Sequence, residues 1–266
     1  MPEQFILEIA IYLITGTFVG FAAGLLGIGG GLIIVPVLTT VFAYFLGSSD
    51  IVHLAIGTSL ATILITSLSS VRAHHQHRAV HWHAVRLLSL GVLAGAFIGG
   101  WVSQYFDSAT LSKIFGILEL LIAINMLLSI KPNPSRQLPG LAGNTVAGLI
   151  IGKLSSLVGI GGGTLTTPYL VWNNISMHQA IATSTAVSLP VALAGSIGFI
   201  LAGLQAHDLP AYTTGYIYWP AFFGIIVASI FTAPIGARLA HKLPVQLLKR
   251  AFGVFLLLLA GKMLFF

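Results

Sequence analysis

Two short runs inside an oily chain dictate how it can fold. Residues 24–36 read GLLGIGGGLIIVP and residues 156–168 read SLVGIGGGTLTTP, each carrying GIGGG with a proline five positions past the last glycine. A glycine inside a helix costs about 1 kcal/mol relative to alanine. Loose backbone in hydrocarbon has no water to bond with. A feature this costly, used twice, predicts a helix that breaks and restarts at depth rather than one continuous span.

The setting is a membrane. Of 266 residues, 56% are hydrophobic and only 7% charged, against roughly 25% charged in a soluble domain. No polar stretch is long enough for a separate soluble domain. The net charge of +6 sits in short loops, as cytoplasmic loops do, and forms no basic-aromatic surface for nucleic acid. Cysteine is absent, which excludes disulfides, thiol catalysis and cysteine metal sites. The start, MPEQFILEIA, carries Glu3 and Glu8 and no basic residue, so it reads as a first membrane segment and not as a cleaved signal. A multi-pass protein of the plasma (inner) membrane is expected.

Apolar segments fall near 5–26, 32–46, 54–71, 85–104 and 110–129, then near 141–158, 164–173, 179–203, 214–237 and 246–266. A full span needs about 20 residues; the segment 164–173 reaches roughly half of that. The two sets align. HLAIGTSLA (53–61) matches HQAIATSTA (178–186), and LSKIFG (111–116) matches LKRAFG (248–253). The expectation is an all-α polytopic protein with two repeats, 1–130 and 141–266, joined by a linker, KPNPSRQLPG, at 131–140. The loop 72–86 holds Arg72, Arg78, Arg86 and five histidines and is placed in the cytoplasm, with the linker and 238–250. The equivalent stretch 204–212 has no Lys or Arg and is placed outside. Equivalent loops on opposite sides mean inverted topology.

In this reading each GIGGG is the tip of a broken or re-entrant helix hairpin. The restarted helix presents N–H groups without intrahelical partners and the positive end of its dipole, a setting that favours an anion. Gly29, Gly30 and Gly31, and Gly161, Gly162 and Gly163, let a ligand approach the backbone. Pro36 and Pro168 suit a first helical turn. Thr164 is a candidate cap, with Thr166 and Thr167 as further hydroxyl donors. Two tips entering from opposite sides could meet around one site, as in an alternating-access carrier of a small anion. The bland alternative is close helix packing by small residues, the role expected for Gly91, Gly95, Gly99, Gly100 and Gly236.

These motifs, GLLGIGGGLIIVP, HLAIGTSLA, the second GIGGG and HQAIATSTA, resemble the TauE/SafE sulfite-exporter family of membrane permeases over nearly the whole chain. The resemblance implies export or uptake of small sulfur oxyanions or organosulfonates; no cofactor is expected. Where the family often has an Asn-Val-Asp-Trp-like stretch, this chain reads Ala79-Val80-His81-Trp82. The acidic residue is gone, and no proton or gating role is carried over to that place.

Further candidates follow from residue type. Thr58, Ser59, Thr183 and Ser184 stand at equivalent places and offer hydroxyls to an oxyanion, or bond back to helix carbonyls. Lys153 is an intramembrane charge; it balances the anion, pairs with Glu119, or snorkels to the surface. Glu119, His53 and His178 are candidates for proton coupling, sodium being the other coupling ion considered. His53 and His178 begin their helices and are expected at the interface. The competing function is a transition-metal transporter or sensor using the His-rich loop 74–83, where His75/His77 and His81/His83 form His-x-His pairs. No acid or cysteine accompanies them, so no metal site is assigned. No partnered nucleophile and base is found, and an enzyme is not expected. The partners expected are a small anionic substrate and the bilayer, with the chain a monomer or homodimer.

Overall fold

The computed structural model describes residues 2–27, 29–128, 137–206, 208–240 and 245–265. Among the described residues ten helices carry the fold. They are α1 (Pro2–Leu26), α2 (Gly31–Phe45), α3 (Ile51–Gln76), α4 (Trp82–Val102), α5 (Ser108–Leu128), α6 (Leu141–Leu157), α7 (Gly163–Trp172), α8 (Met177–Gly203), α9 (Trp219–Ala240) and α10 (Val245–Leu264). A hairpin of two short strands, β1 (Thr213–Thr214) and β2 (Ile217–Tyr218), precedes α9. Among the described residues six of the helices are long and apolar enough to cross a membrane. The protein is an all-α polytopic membrane protein, as the segment pattern requires. Most of the linker expected at 131–140 lies outside the described residues.

The helices pair in a crossed pattern. α1 packs on α9 and α6 packs on α4, while α5 pairs with α10 and α3 with α8. Aligning the two GIGGG motifs matches α1 with α6, so each helix lies against the fourth helix of the other half. The contacts repeat in detail. A Cβ on Gly16 of α1 would stand 2.3 Å from the carbonyl oxygen of Ile225, and one on the matching Gly148 of α6 would stand 2.5 Å from that of Leu88. Gly99 is pressed against the Lys153 carbonyl as Gly236 is against that of Phe21. Lipid is as apolar as a leucine side chain, so helices here associate by close van der Waals approach, which only small residues permit. Gly91, Gly95, Gly99, Gly100 and Gly236 all meet backbone of a neighbouring helix in this way.

α3 and α8 form the centre. Each is buried over most of its length. They run antiparallel: Gly57 near the start of α3 and Gly203 at the end of α8 both abut the backbone of Tyr216 in the hairpin. At the other end the loop after α3 reaches the start of α8.

Both prolines lie deeper than expected. α2 starts at Gly31 and α7 at Gly163, which makes Pro36 and Pro168 the sixth residue of each and not a first-turn residue. They delete the helical N–H bonds to the carbonyls of Leu32 and Thr164, one turn back.

Candidate functional site

Each tip is built by a glycine in left-handed conformation. Gly30 (φ 83°) is the N-cap of α2 and Gly162 (φ 79°) the N-cap of α7. Neither has a side chain to cap with, so the first N–H groups of both helices lack a side-chain acceptor. Thr164 lies inside α7, and the capping role expected of it falls to Gly162. α7 has 10 residues, about 15 Å of helix, half of a ~30 Å hydrocarbon core.

The tips touch. A Cβ on Gly31 would stand 2.0 Å from the carbonyl oxygen of Gly159, and one on Gly29 would stand 3.1 Å from the Cα of Gly161. Backbone thus meets backbone at the middle of the molecule, with Gly29, Gly30, Gly31, Gly161, Gly162 and Gly163 all buried.

The two tips differ in polarity. In register with the glycines, Ala23, Leu32 and Ile34 of the first half are replaced by Ser155, Thr164 and Thr166 in the second. The hydroxyls of these three are buried and have no hydrogen-bond partner among the described residues. Ser155 and Thr166 converge behind Gly162, 3.7 and 3.8 Å from where its Cβ would be. Thr164 faces a cavity of about 270 Å³, whose floor is the start of α7. Leu118, Ile122 and Asn125 of α5 and Ile181 of α8 form its walls. This is an apolar pocket with a few convergent polar groups, the usual composition of a small-molecule site. A shallower cavity of about 180 Å³ lies between Pro36 and Thr40 of α2 and Leu259 and Lys262 of α10. In register these correspond to Pro168, Trp172, Ile122 and Asn125, but this second cavity stops at Pro36 and does not reach the first tip.

The hydroxyls of α3 and α8 have other duties. Thr58 Oγ1 accepts the backbone N–H of Tyr218 at 2.9 Å, and Thr183 Oγ1 accepts that of His81 at 2.9 Å. Ser59 donates to the Gly159 carbonyl at 3.0 Å, and Ser184 lies 3.3 Å from that of Gly27. Thr167 in turn donates to Ser184 at 2.9 Å. Thr58, Ser59, Thr183 and Ser184 therefore hold the loops and tips of the opposite half. Which backbone arrives opposite a hydroxyl is a tertiary fact that one sequence does not carry. Ser155 carries a sequence signal of its own: a polar residue where the other repeat has Ala23.

The charged candidates separate. Lys153 is exposed on α6, whereas Glu119 is wholly buried on α5, so the pair expected between them does not form. His53, in the first turn of α3, is buried within the protein: it stacks on Tyr216 at 4.8 Å, and its Nε2 is 3.1 Å from the Ser103 carbonyl oxygen. His178 is exposed at the start of α8, next to Met177 of the cavity rim. The sequence also gave no hint that Glu8 would be buried, accepting hydrogen bonds from Tyr12 and Tyr218.

The His-rich loop is occupied by structure. His81 Nδ1 caps α4 at the Ala84 N–H, and His75 Nδ1 accepts from Trp82 Nε1 at 3.3 Å. Among the described residues no three His, Cys, Asp or Glu side chains group as a metal site.

The family model described as sulfite exporter TauE/SafE matches residues 12–263. A probable membrane transporter protein of Haemophilus influenzae is 38% identical over 96% of this chain and 97% of its own. One of Methanocaldococcus jannaschii is 31% identical over 90% of this chain and 89% of its own. Another, YunE of Bacillus subtilis, is 26% identical over 97% and 98%. No solved structure matches significantly.

Proposed function

The chain belongs to the sulfite exporter TauE/SafE family of membrane transporters, and we propose on that premise that it carries a small sulfur-containing anion by alternating access between two inverted repeats. The anion, sulfite or an organosulfonate, binds at the start of α7. The observation that carries this reading is the uncapped N-terminus of α7 at the floor of a cavity, with the unpartnered hydroxyl of Thr164 beside it. Buried polar groups are ordinarily satisfied. Three orphaned hydroxyls stand around one helix start where the matching residues are apolar, and Thr164, which lines the cavity, suits a ligand with acceptor oxygens. Helix N–H groups and the helix dipole add a preference for negative charge.

Alternating access draws support from the unequal cavities. The α5–α7 cavity reaches its tip at Gly163 and Thr164, while the cavity between α10 and α2 is lined no deeper than Pro36. Exchanging the two arrangements would close the first cavity and open the second around the same touching tips.

The test is a thermal-unfolding screen of purified protein with sulfite, sulfate, thiosulfate, methanesulfonate, sulfoacetate, taurine, simple carboxylates, Ni²⁺ and Zn²⁺. A ligand bound only by the folded form raises apparent stability. Stabilisation by sulfur anions, and not by carboxylates or metals, is the expected result. Stabilisation by metals alone would overturn it in favour of the His-loop reading.

A further inference from the structure

Glu119 stands on α5 between two residues that line the deep cavity, Leu118 and Ile122. Its own side chain does not line that cavity. It is fully buried, and neither carboxyl oxygen has a hydrogen-bond partner among the described residues. α5 packs on α10 and α3. The described ionisable groups on α10 are Arg250 and Lys262, both exposed. On α3, His53 binds the Ser103 carbonyl near the first turn, Arg72 and His75 are exposed, and His74 lies in the last turn. Lys113 on α5 itself is exposed. None of these makes a hydrogen bond or ion pair with Glu119.

The repeat supplies an internal control. LSKIFG in α5 and LKRAFG in α10 set the register, and the packing follows it: Gly116 abuts Leu264 as Gly253 abuts Leu127. In this register the counterpart of Glu119 is Leu256, also fully buried. Leucine fills the place in one half, so the carboxyl in the other is not needed for packing. An unpartnered carboxylate in so dry a place would carry a desolvation cost that nothing here offsets.

We infer that Glu119 is a proton-binding site coupled to the movement of α5, the wall of the cavity beside it, away from α10 and α3. The neutral carboxyl permits α5 to pack closely against α10 and α3. When the wall loosens and water enters, the carboxyl gives its proton to water and becomes carboxylate; it takes a proton back from water before the wall can close again. Proton binding and conformation then bias each other reciprocally. The inference rests on the transporter reading, but not on which anion is carried.

Two measurements test it. The first needs no substrate. The chain has no cysteine, so a single Asn125→Cys on the cavity wall reports access to a neutral maleimide. Its labelling rate is compared across pH in three backgrounds: unchanged, E119Q and E119L. The variants share the intrinsic ionisation of the thiol. The ratio of the unchanged background to either variant is expected to vary with pH, by at most about tenfold per pH unit for one linked proton. The ratio between E119Q and E119L is expected to stay flat. A flat ratio throughout overturns the proposal, and so does failure of both variants to fold, which would make the carboxyl structural. The second uses proteoliposomes with methanesulfonate, which takes up no proton in this range, and an internal pH dye. The unaltered protein is expected to move protons with methanesulfonate, and E119Q to exchange labelled methanesulfonate without proton movement. Proton movement by E119Q equal to wild type also overturns the proposal. If methanesulfonate is not carried at all, that choice of anion fails while the labelling arm still decides Glu119.

Discussion

Thr58 and Thr183 perform one task at opposite ends of the molecule: each gives its hydroxyl oxygen to a backbone N–H of the other half, from Tyr218 and from His81, both at 2.9 Å. Each bond pins a connecting loop onto a central helix. Thr58→Val and Thr183→Val keep the side-chain volume but leave a backbone N–H, buried at Tyr218 and half-buried at His81, without its acceptor. Each is expected to destabilise by about 1–3 kcal/mol. The two sites share no partner, so the double variant should show nearly the sum. Thermal unfolding in detergent, without ligand, measures this. An effect at only one site would mean that the two clasps are not equivalent.

The tips give a contrast between two glycines. Gly31 has the Gly159 carbonyl oxygen 2.0 Å from its would-be Cβ, while Gly47 (φ 59°) has nothing within 4 Å. Gly47→Ala should cost only the left-handed conformation, about 1–2 kcal/mol. Gly31→Ala must push the two tips apart, and backbone has nowhere to yield in a close-packed centre. A markedly lower melting temperature and loss of monodispersity are expected for Gly31→Ala alone. Equal behaviour of the two variants would show that the tips are not in contact.

How much of this was legible beforehand depended on whether the governing constraint was local. The doubled GIGGG placed both helix breaks, because glycine's left-handed backbone is a local property and both Gly30 and Gly162 use it. The half-length of α7 was equally readable from its apolar run. The start of each restarted helix was not: Gly31 and Gly163 are already helical, which moves Pro36 and Pro168 into the helix and takes the cap away from Thr164. The facing of Lys153 was hidden because Asn144, Ser155 and Ser156 of α6 are buried, so polarity does not mark its outer surface. The orphaned hydroxyls of Ser155 and Thr166 emerge only when burial is set against the matching residues of the first half.

Orientation can be read from labelling, again because the chain has no cysteine. Ala79 lies in the loop after α3 and Ala206 in the stretch after α8. The proposed inverted repeats would put these equivalent loops on opposite sides, with the positive loop in the cytoplasm. A membrane-impermeant thiol reagent on intact cells is expected to label Ala206→Cys and spare Ala79→Cys. Labelling of both from outside would end the inverted arrangement.

The hydroxyls around α7 separate an anion site from a packing accident by the sign of two effects. Thr166 is fully buried with an unpartnered Oγ1, and Ser155 is the same. A buried hydroxyl without a partner costs stability. Thr166→Val keeps the volume and removes the orphan, so without ligand the variant should be more stable, by about 1 kcal/mol. If the same hydroxyl bonds a sulfur anion, the variant forfeits a charge-assisted hydrogen bond of roughly 1.5–3 kcal/mol, a loss of affinity of about tenfold or more. The expected result is therefore a higher melting temperature without anion and a smaller upward shift when sulfite or methanesulfonate is added. Ser155→Ala should move both readouts the same way, with less gain because it leaves a small void. A gain in stability with an unchanged anion shift would place the ligand elsewhere along the cavity, and the tip of α7 would then be a packing element alone.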